Sequence, residues 1–315
     1  MSAPLLVAGE ALYDLVVDGA GALAGHPGGG PFNTARTIGR LRRPVAYLGR
    51  LSTDRLGATH ERMLADDGVD LRCVVHTTQP TTLALANLDA SGAASYSFYA
   101  QATAAPGLTA EEALAVLPAA VAALHVGTLG LVLEPLAGAL EAVVQRLAGT
   151  TMVVLDPNCR PWVIDDPDAY RARLERILAM SDLIKVSEED LVWLDPGRPR
   201  IDAARGLLQH GPAAVLLTRG PDGATVLTRH GEHPIDPVAA EVVDTIGAGD
   251  AFSGGFLAWW SSHGLGREEL AHDDLVVAAA RFAAVVAART VAQAGASPPR
   301  LGVEAEAQPL GVASV

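Results

Sequence analysis

Hydrophobic positions along this chain fall into two rhythms. Leu5-Leu6-Val7-Ala8-Gly9 is a short unbroken apolar run, the pattern of a strand buried on both faces of a parallel sheet. A helix is predicted from Thr34 to about Arg42, where Pro44 blocks its continuation, and Val45 to Leu48 is the next strand. Residues 72–100 have a different texture: Cys73-Val74-Val75, Thr81 to Asn87 and Ser95 to Tyr99 are strand-like pieces joined by Asp-Ala-Ser-Gly, which is hairpin chemistry with no long helix between. From residue 109 onward helix and strand alternate, with strands at 151–155, 182–186, 214–218 and 224–228 and helices at 134–147, 168–180, 201–210, 247–263 and about 270–290. Alternation of this kind predicts a parallel sheet covered by helices on both faces. The β-rich insert, with strand segments within about 10–25 and 72–101, predicts a lid over the strand ends of a single domain spanning residues 1–315.

One apolar stretch needs separate treatment. Residues 113–133 carry no formal charge, about the length of a membrane span, but Pro118, His125, Gly127, Thr128 and Gly130 interrupt them. Thr109 with Glu112 reads as a capping box opening a helix that ends near Pro118, and Leu124-His125-Val126 as a short buried strand before a Gly-Thr turn. No membrane span is expected. Met1-Ser2-Ala3-Pro4 lacks the basic start of a signal peptide.

Charge and composition narrow the chemistry. The formal net charge is −13, which argues against nucleic-acid or anionic-membrane partners. An anionic ligand must therefore be held by local devices. Lys185 is the only lysine and Val186 follows it, so the Gly-Lys-Ser/Thr of a Walker loop is absent. Cys73 and Cys159 are isolated, without metal-type spacing, and fit a reducing cytoplasm as small buried hydrophobes. Gly19-Ala20-Gly21-Ala22-Leu23-Ala24 formally matches a relaxed dinucleotide fingerprint, but Gly25-His26-Pro27-Gly28 leaves no room for the helix it needs, and the segment is read as a loop.

The most informative segment is Asp244-Thr245-Ile246-Gly247-Ala248-Gly249-Asp250-Ala251-Phe252. Three small residues leading into a helix let backbone N–H groups of Gly247, Ala248 and Gly249 converge at its positive end, an anion hole made without side-chain cations. Asp250, at the mouth of that helix and held ionised by its dipole, is placed to take a proton from an alcohol that attacks phosphorus. An ordinary acidic N-cap after a glycine turn reads the same spacing.

Asp-Thr-x-Gly-Ala-Gly-Asp resembles the C-terminal signature of the PfkB-type, ribokinase-like carbohydrate kinases. Gly28-Gly29-Gly30-Pro31-Phe32-Asn33-Thr34-Ala35 is similar to that family's Gly-Gly-x-x-x-Asn-x-Ala segment, followed by Leu48-Gly49-Arg50 and Asp54-Arg55-Leu56-Gly57, and the likeness runs in order from about Leu5 to Pro299. It implies a three-layer α/β/α fold with a mostly parallel central sheet and a small β lid. It also implies transfer of the γ-phosphoryl of ATP to a sugar hydroxyl, with Mg²⁺. Gly9-Glu10-Ala11-Leu12-Tyr13-Asp14 resembles the strand-to-lid opening, where the aspartate grips substrate hydroxyls; Gly28 and Gly29 let the sugar approach the backbone, and Asn33 donates and accepts.

On the nucleotide side, Thr218-Arg219-Gly220-Pro221-Asp222-Gly223 resembles the glycine turn beside ATP. Lys185-Val186-Ser187-Glu188-Glu189-Asp190 falls where many members carry Asn-x-x-Glu, so Lys185 and Ser187 belong to the ATP side and Asp190 to water-mediated magnesium contact. A monovalent cation, K⁺ in kind, is implied near Asp244 and the Ile246 carbonyl. Asp156-Pro157-Asn158-Cys159-Arg160-Pro161-Trp162 looks like a segment of the fructokinase and ketodeoxygluconate kinase branches, which puts Arg160 near the substrate or the phosphoryl path. Tyr96, Phe98 and Tyr99 supply rings to the lid, and Gln101 stands where acid-specific members tend to show an arginine. Fructose is the leading substrate, then 2-keto-3-deoxygluconate, then ribose or a nucleoside, and the resemblance allows a homodimer through the lid. Two other classes stay open: a non-catalytic sugar sensor on the same fold, and an NAD-linked dehydrogenase, which the missing fingerprint disfavours.

Overall fold

The computed structural model describes residues 3–17, 21–88 and 94–300. Its centre is a nine-stranded sheet in the order β13-β12-β11-β10-β9-β8-β1-β4-β5. Seven strands run parallel: β1 (Leu5–Ala8), β4 (Val45–Ser52), β5 (Val74–Thr77), β8 (Ala123–Gly127), β9 (Met152–Asp156), β10 (Leu183–Ser187) and β11 (Ala214–Thr218). β12 (Ala224–Thr228) and β13 (Glu232–Ile235) extend one edge antiparallel, through a tight turn that a helix crossover would not allow. The expected strand at 224–228 therefore exists but runs against its neighbours.

Residues of β1 alternate between two cores. Leu5 and Val7 face helices α1 (Gly30–Arg40), α2 (Arg55–Asp66), α8 (Ala248–Ser262) and α9 (Asp273–Val291), which pack on one side. Leu6 and Ala8 face α3 (Ala110–Ala115), α4 (Leu136–Leu147), α5 (Pro167–Leu178), α6 (Glu188–Leu194) and α7 (Arg200–Leu207) on the other. Apolar residues on both sides of each strand are what a sheet covered by two helical layers requires. The Thr109–Glu112 capping box is present at the start of α3. No helix among the described residues is long and apolar enough to cross a membrane.

The lid is a second sheet, in the order β3-β2-β6-β7, from β2 (Leu12–Val17), β3 (Leu23–Gly28), β6 (Leu83–Leu88) and β7 (Ala94–Tyr99). Its membership corrects the sequence reading twice. Residues 74–77 pair with β4 in the main sheet, because the chain leaving α2 returns alongside β4 before crossing to the lid. Residues 23–28, read as a loop, form β3 by pairing antiparallel with β2; a pairing partner outside the segment decides this, not its Gly and Pro content. The Asp-Ala-Ser-Gly link at 89–92 lies outside the described residues. Leu12, Ala84 and Phe98 on the inner face pack toward Leu129, Leu133 and Val163 of the body.

Candidate active site

At β1 the chain order reverses: β4 lies on one side and β8 on the other, and loops leaving such strand ends diverge to leave a crevice. The predicted residues converge there. α1 begins at Gly30, four residues before the predicted start, because Gly29 takes φ 110° as N-cap and Pro31 presets the first turn. Asn33 is thus inside the helix and not its cap, and its buried amide crosses 217 residues of sequence to donate from Nδ2 to Asp250 Oδ2 at 2.9 Å. The Oδ1 of Asn33 has no hydrogen-bond partner. Such an acceptor, buried beside a carboxylate, suits a substrate hydroxyl.

Asp250 sits in the first turn of α8, behind Gly247, the N-cap residue at φ 78°. Gly30 faces it: a Cβ there would lie 2.6 Å from Thr128 Cγ2 and 3.2 Å from Asp250 Oδ1, so only glycine leaves room above the carboxylate. Burial pushes the pKa of Asp250 up to about 6, with Asp156 adding to the rise, while the Asn33 hydrogen bond, Lys185 and Arg160 oppose it. The sequence argument that the helix dipole keeps this group ionised is incomplete: burial outweighs the dipole, and the ionised form dominates only above about pH 6. The expected result is a kcat/KM that falls on the acid side with an apparent pKa near 6, measured as initial rates between pH 5 and pH 8. A flat profile down to pH 5 would contradict it.

Asp14 projects from β2 onto the inner lid face, in register with His26 on β3 and Ala84 on β6, with Phe98 next in the row. Burial raises it to about 6 against the pull of His26 and Arg160. Gly28 is required opposite, since a Cβ would approach Asp14 Oδ2 to 2.1 Å, and a Cβ on Gly29 would strike the Glu10 carbonyl at 2.6 Å. Tyr99 is exposed, and Tyr96 is a residue whose side chain lies outside the described set, so Phe98 is the described ring beside Asp14. Arg160 donates to the carbonyls of Asn158 and Cys159, and its guanidinium lies 5.8 Å from the Trp162 ring centre. Its charge is felt by both Asp14 and Asp250.

The remaining predicted residues lie at neighbouring strand ends. Ser187 caps α6, and Asp190 closes a capping box with it while accepting from the Cys159 amide at 2.6 Å. The oxygens of Asp190 are thus turned to protein donors. Thr218 ends β11, and Arg219, Gly220 at φ 53° and Gly223 at φ 83° form the tight turn into β12. Arg219 Nε is buried without a partner. Asp244 accepts from the amides of Ile246 at 3.0 Å and Gly295 at 2.9 Å, drawing the loop before α8 against the turn after α9.

Two arrangements were not foreseen. Glu10 is buried at the end of β1 and accepts from Thr128 Oγ1 at 2.5 Å and Gly130 N at 2.9 Å, holding a threonine at φ 58° on the crevice wall. Burial lifts Glu10 to about 7. A carboxylate directly after an apolar strand, with a Gly-Thr turn elsewhere, was the available sequence signal. Second, the anion hole is not free of side-chain cations, because Lys185 on β10 reaches beneath Gly249.

A glycine-built helix N-terminus, a buried carboxylate beside it and a β lid bearing a second carboxylate define a small-molecule phosphotransferase of the ribokinase-like fold. Residues 5–301 match the model of the pfkB family carbohydrate kinases, and the chain belongs to that family. A fructokinase of Rhizobium leguminosarum bv. trifolii is 35% identical over 258 residues, covering 81% of this chain and 78% of the relative. The structure of a Vibrio cholerae O395 fructokinase in fructose, ADP and calcium ion bound form superposes with TM-score 0.82 at 26% identity, covering 93% of this chain and 94% of the other. A Xylella fastidiosa fructokinase with bound ATP gives TM-score 0.83 at 26% identity, with 93% of each chain covered.

Proposed function

We propose that this carbohydrate kinase phosphorylates a fructose-type sugar at a primary hydroxyl, using ATP. The observation that carries the reading is the buried contact between Asn33 and Asp250, which aims one acid at the crevice floor and leaves an unpartnered acceptor next to it. Asp14 grips hydroxyls from the lid, Gly28 and Gly29 admit the sugar to the backbone, and Arg160 lies along the phosphoryl path. Asp250 takes the hydroxyl proton as the sugar oxygen attacks the γ-phosphorus, the bond to the ADP oxygen breaks, and the amides of Gly247, Ala248 and Gly249 stabilise the charge on the moving group. Closure of the lid over Asp14 and Asn33 excludes water and so limits hydrolysis of ATP.

The nucleotide side is formed by Lys185, Ser187, Thr218, Arg219, Gly220 and Gly223 at the ends of β10 and β11. When bound with ATP, magnesium neutralises phosphate charge; Asp190, already engaged by three protein donors, fits contact through water and not direct ligation. Asp244, which braces the loop before α8 against the turn after α9, would with the Ile246 carbonyl hold a monovalent cation such as K⁺. Buried free Cys73 and Cys159 suit the reducing cytoplasm, where ATP is plentiful.

The test is ADP release from ATP and Mg²⁺ with fructose, ribose, ketodeoxygluconate, glucose or adenosine. Fructose is expected to give the highest kcat/KM. Preference for ketodeoxygluconate or a nucleoside would overturn the substrate, and tight sugar binding without turnover would favour a sensor.

A further inference from the structure

Resting on the kinase reading, the geometry points to Lys185 as a positioning residue for the phosphoryl step: an ammonium locked by Asp156 beneath the Gly247–Gly249 turn, lending the anion hole a fixed positive charge from below. The chain has one lysine, and β10 delivers it beneath Gly249.

Leu183 on β10 pairs with Val154 on β9, so two residues further on Lys185 and Asp156 stand side by side at the strand ends. Both side chains are almost completely buried, and Nζ lies 3.0 Å from Asp156 Oδ2 and 3.3 Å from Oδ1. A pair this deep is costly to desolvate and is weak evidence for stability by itself. Its position is more telling. A Cβ on Gly249 would lie 2.9 Å from Nζ, so the ammonium occupies the space a side chain would take in the first turn of α8. Ser253, one turn further along α8, donates to Asp156 Oδ2 at 3.4 Å and fixes the counter-ion against the same helix. A side chain at Gly249 would displace the ammonium from this position.

The ammonium end of the pair lies under the first turn of α8, where the helix dipole already favours the charge that develops on a moving phosphoryl group. Burial alone would lower the ammonium's pKa, but Asp156, Asp190 and Asp250 outweigh burial and keep it protonated. Four charged groups are felt at Asp250: Glu10 after β1, Asp156 on β9 with Arg160 beyond it, and Lys185 on β10. Of these, Lys185 and Arg160 oppose the rise in its pKa.

The test compares wild type, Lys185→Gln and the double variant Asp156→Asn/Lys185→Gln, whose pair is neutral and hydrogen-bonded, in kcat and KM for the preferred sugar from pH 5 to pH 8. In the single variant kcat is expected to fall about 100-fold, with sugar KM changed only a few-fold. Its acid limb should move up by about one unit, since an opposing charge is lost while Asp156 stays. In the double variant the limb should return toward the wild-type position, because the two influences on Asp250 cancel, yet kcat should stay at least about tenfold low. A merely structural lysine would change kcat without moving the limb. Wild-type kcat and an unmoved limb in the folded double variant would overturn the inference, as would an unmoved limb in a folded single variant. Should the single variant not fold, the double variant decides by its kcat, a wild-type value in a folded protein overturning the inference. Failure of wild type to turn over any sugar would instead overturn the kinase reading.

Discussion

Replacing Asp250 by Asn is expected to lower kcat by about 10³- to 10⁴-fold while leaving sugar KM within a few-fold of wild type. The loss has one physical source. The amide keeps the shape and the capacity to accept from Asn33 Nδ2, so the crevice retains its form, but it cannot take a proton. The anion hole and lid remain, which is why some rate above the uncatalysed level survives. Folding should not suffer, because the wild-type carboxylate is buried and its pKa raised to about 6, and a neutral isostere removes that desolvation cost. Steady-state kinetics with a thermal melt of both proteins checks this. More than about a tenth of wild-type kcat in a well-folded variant would remove Asp250 from the role of base.

Asp14→Ala should act on binding. Two charge-assisted hydrogen bonds to sugar hydroxyls, at about 1.5–3 kcal/mol each, give an expected loss of about 10²- to 10⁴-fold in kcat/KM, carried mainly by KM. Asp14→Asn, which still accepts at one oxygen, should fall between. KM for ATP should stay unchanged in both, because Asp14 belongs to the lid and the nucleotide residues to the ends of β10 and β11. The measurement is a pair of saturation curves, in sugar at fixed ATP and in ATP at fixed sugar. Equal losses in the two KM values would mean that Asp14 supports the lid and does not grip the sugar.

The features legible before any coordinates were the local ones. Gly-Ala-Gly-Asp before an apolar helix states its own chemistry, because φ at Gly247 and the free N–H groups of a first turn depend on a few adjacent residues. The helix–strand alternation after residue 109 held, as did the capping box of α3, for the same reason. Two misreadings involved partners outside the segment. β3 looked like a loop because its Gly and Pro count against a strand, until β2 supplies the ladder. Residues 74–77 looked like lid because strand pattern does not name its neighbour, and β4 captured them. α2 went unassigned although Asp54 caps it, accepting from Gly57 N.

The site divides along the same line. The amino-acid sequence alone determined the class of chemistry: an anion hole of small residues, an acid beside it, and a second carboxylate at the lid opening. Only the tertiary structure decided how those groups are tuned. It brought Asn33 to Asp250, set Glu10 against Thr128, and slid Lys185 with its counter-ion under Gly249. It also raised Asp250 and Asp14 to about 6, through burial that no sequence window contains. Backbone conformation is governed by neighbours in the chain, whereas charge energies depend on distance and on exclusion of water, which exist only once remote segments have packed together.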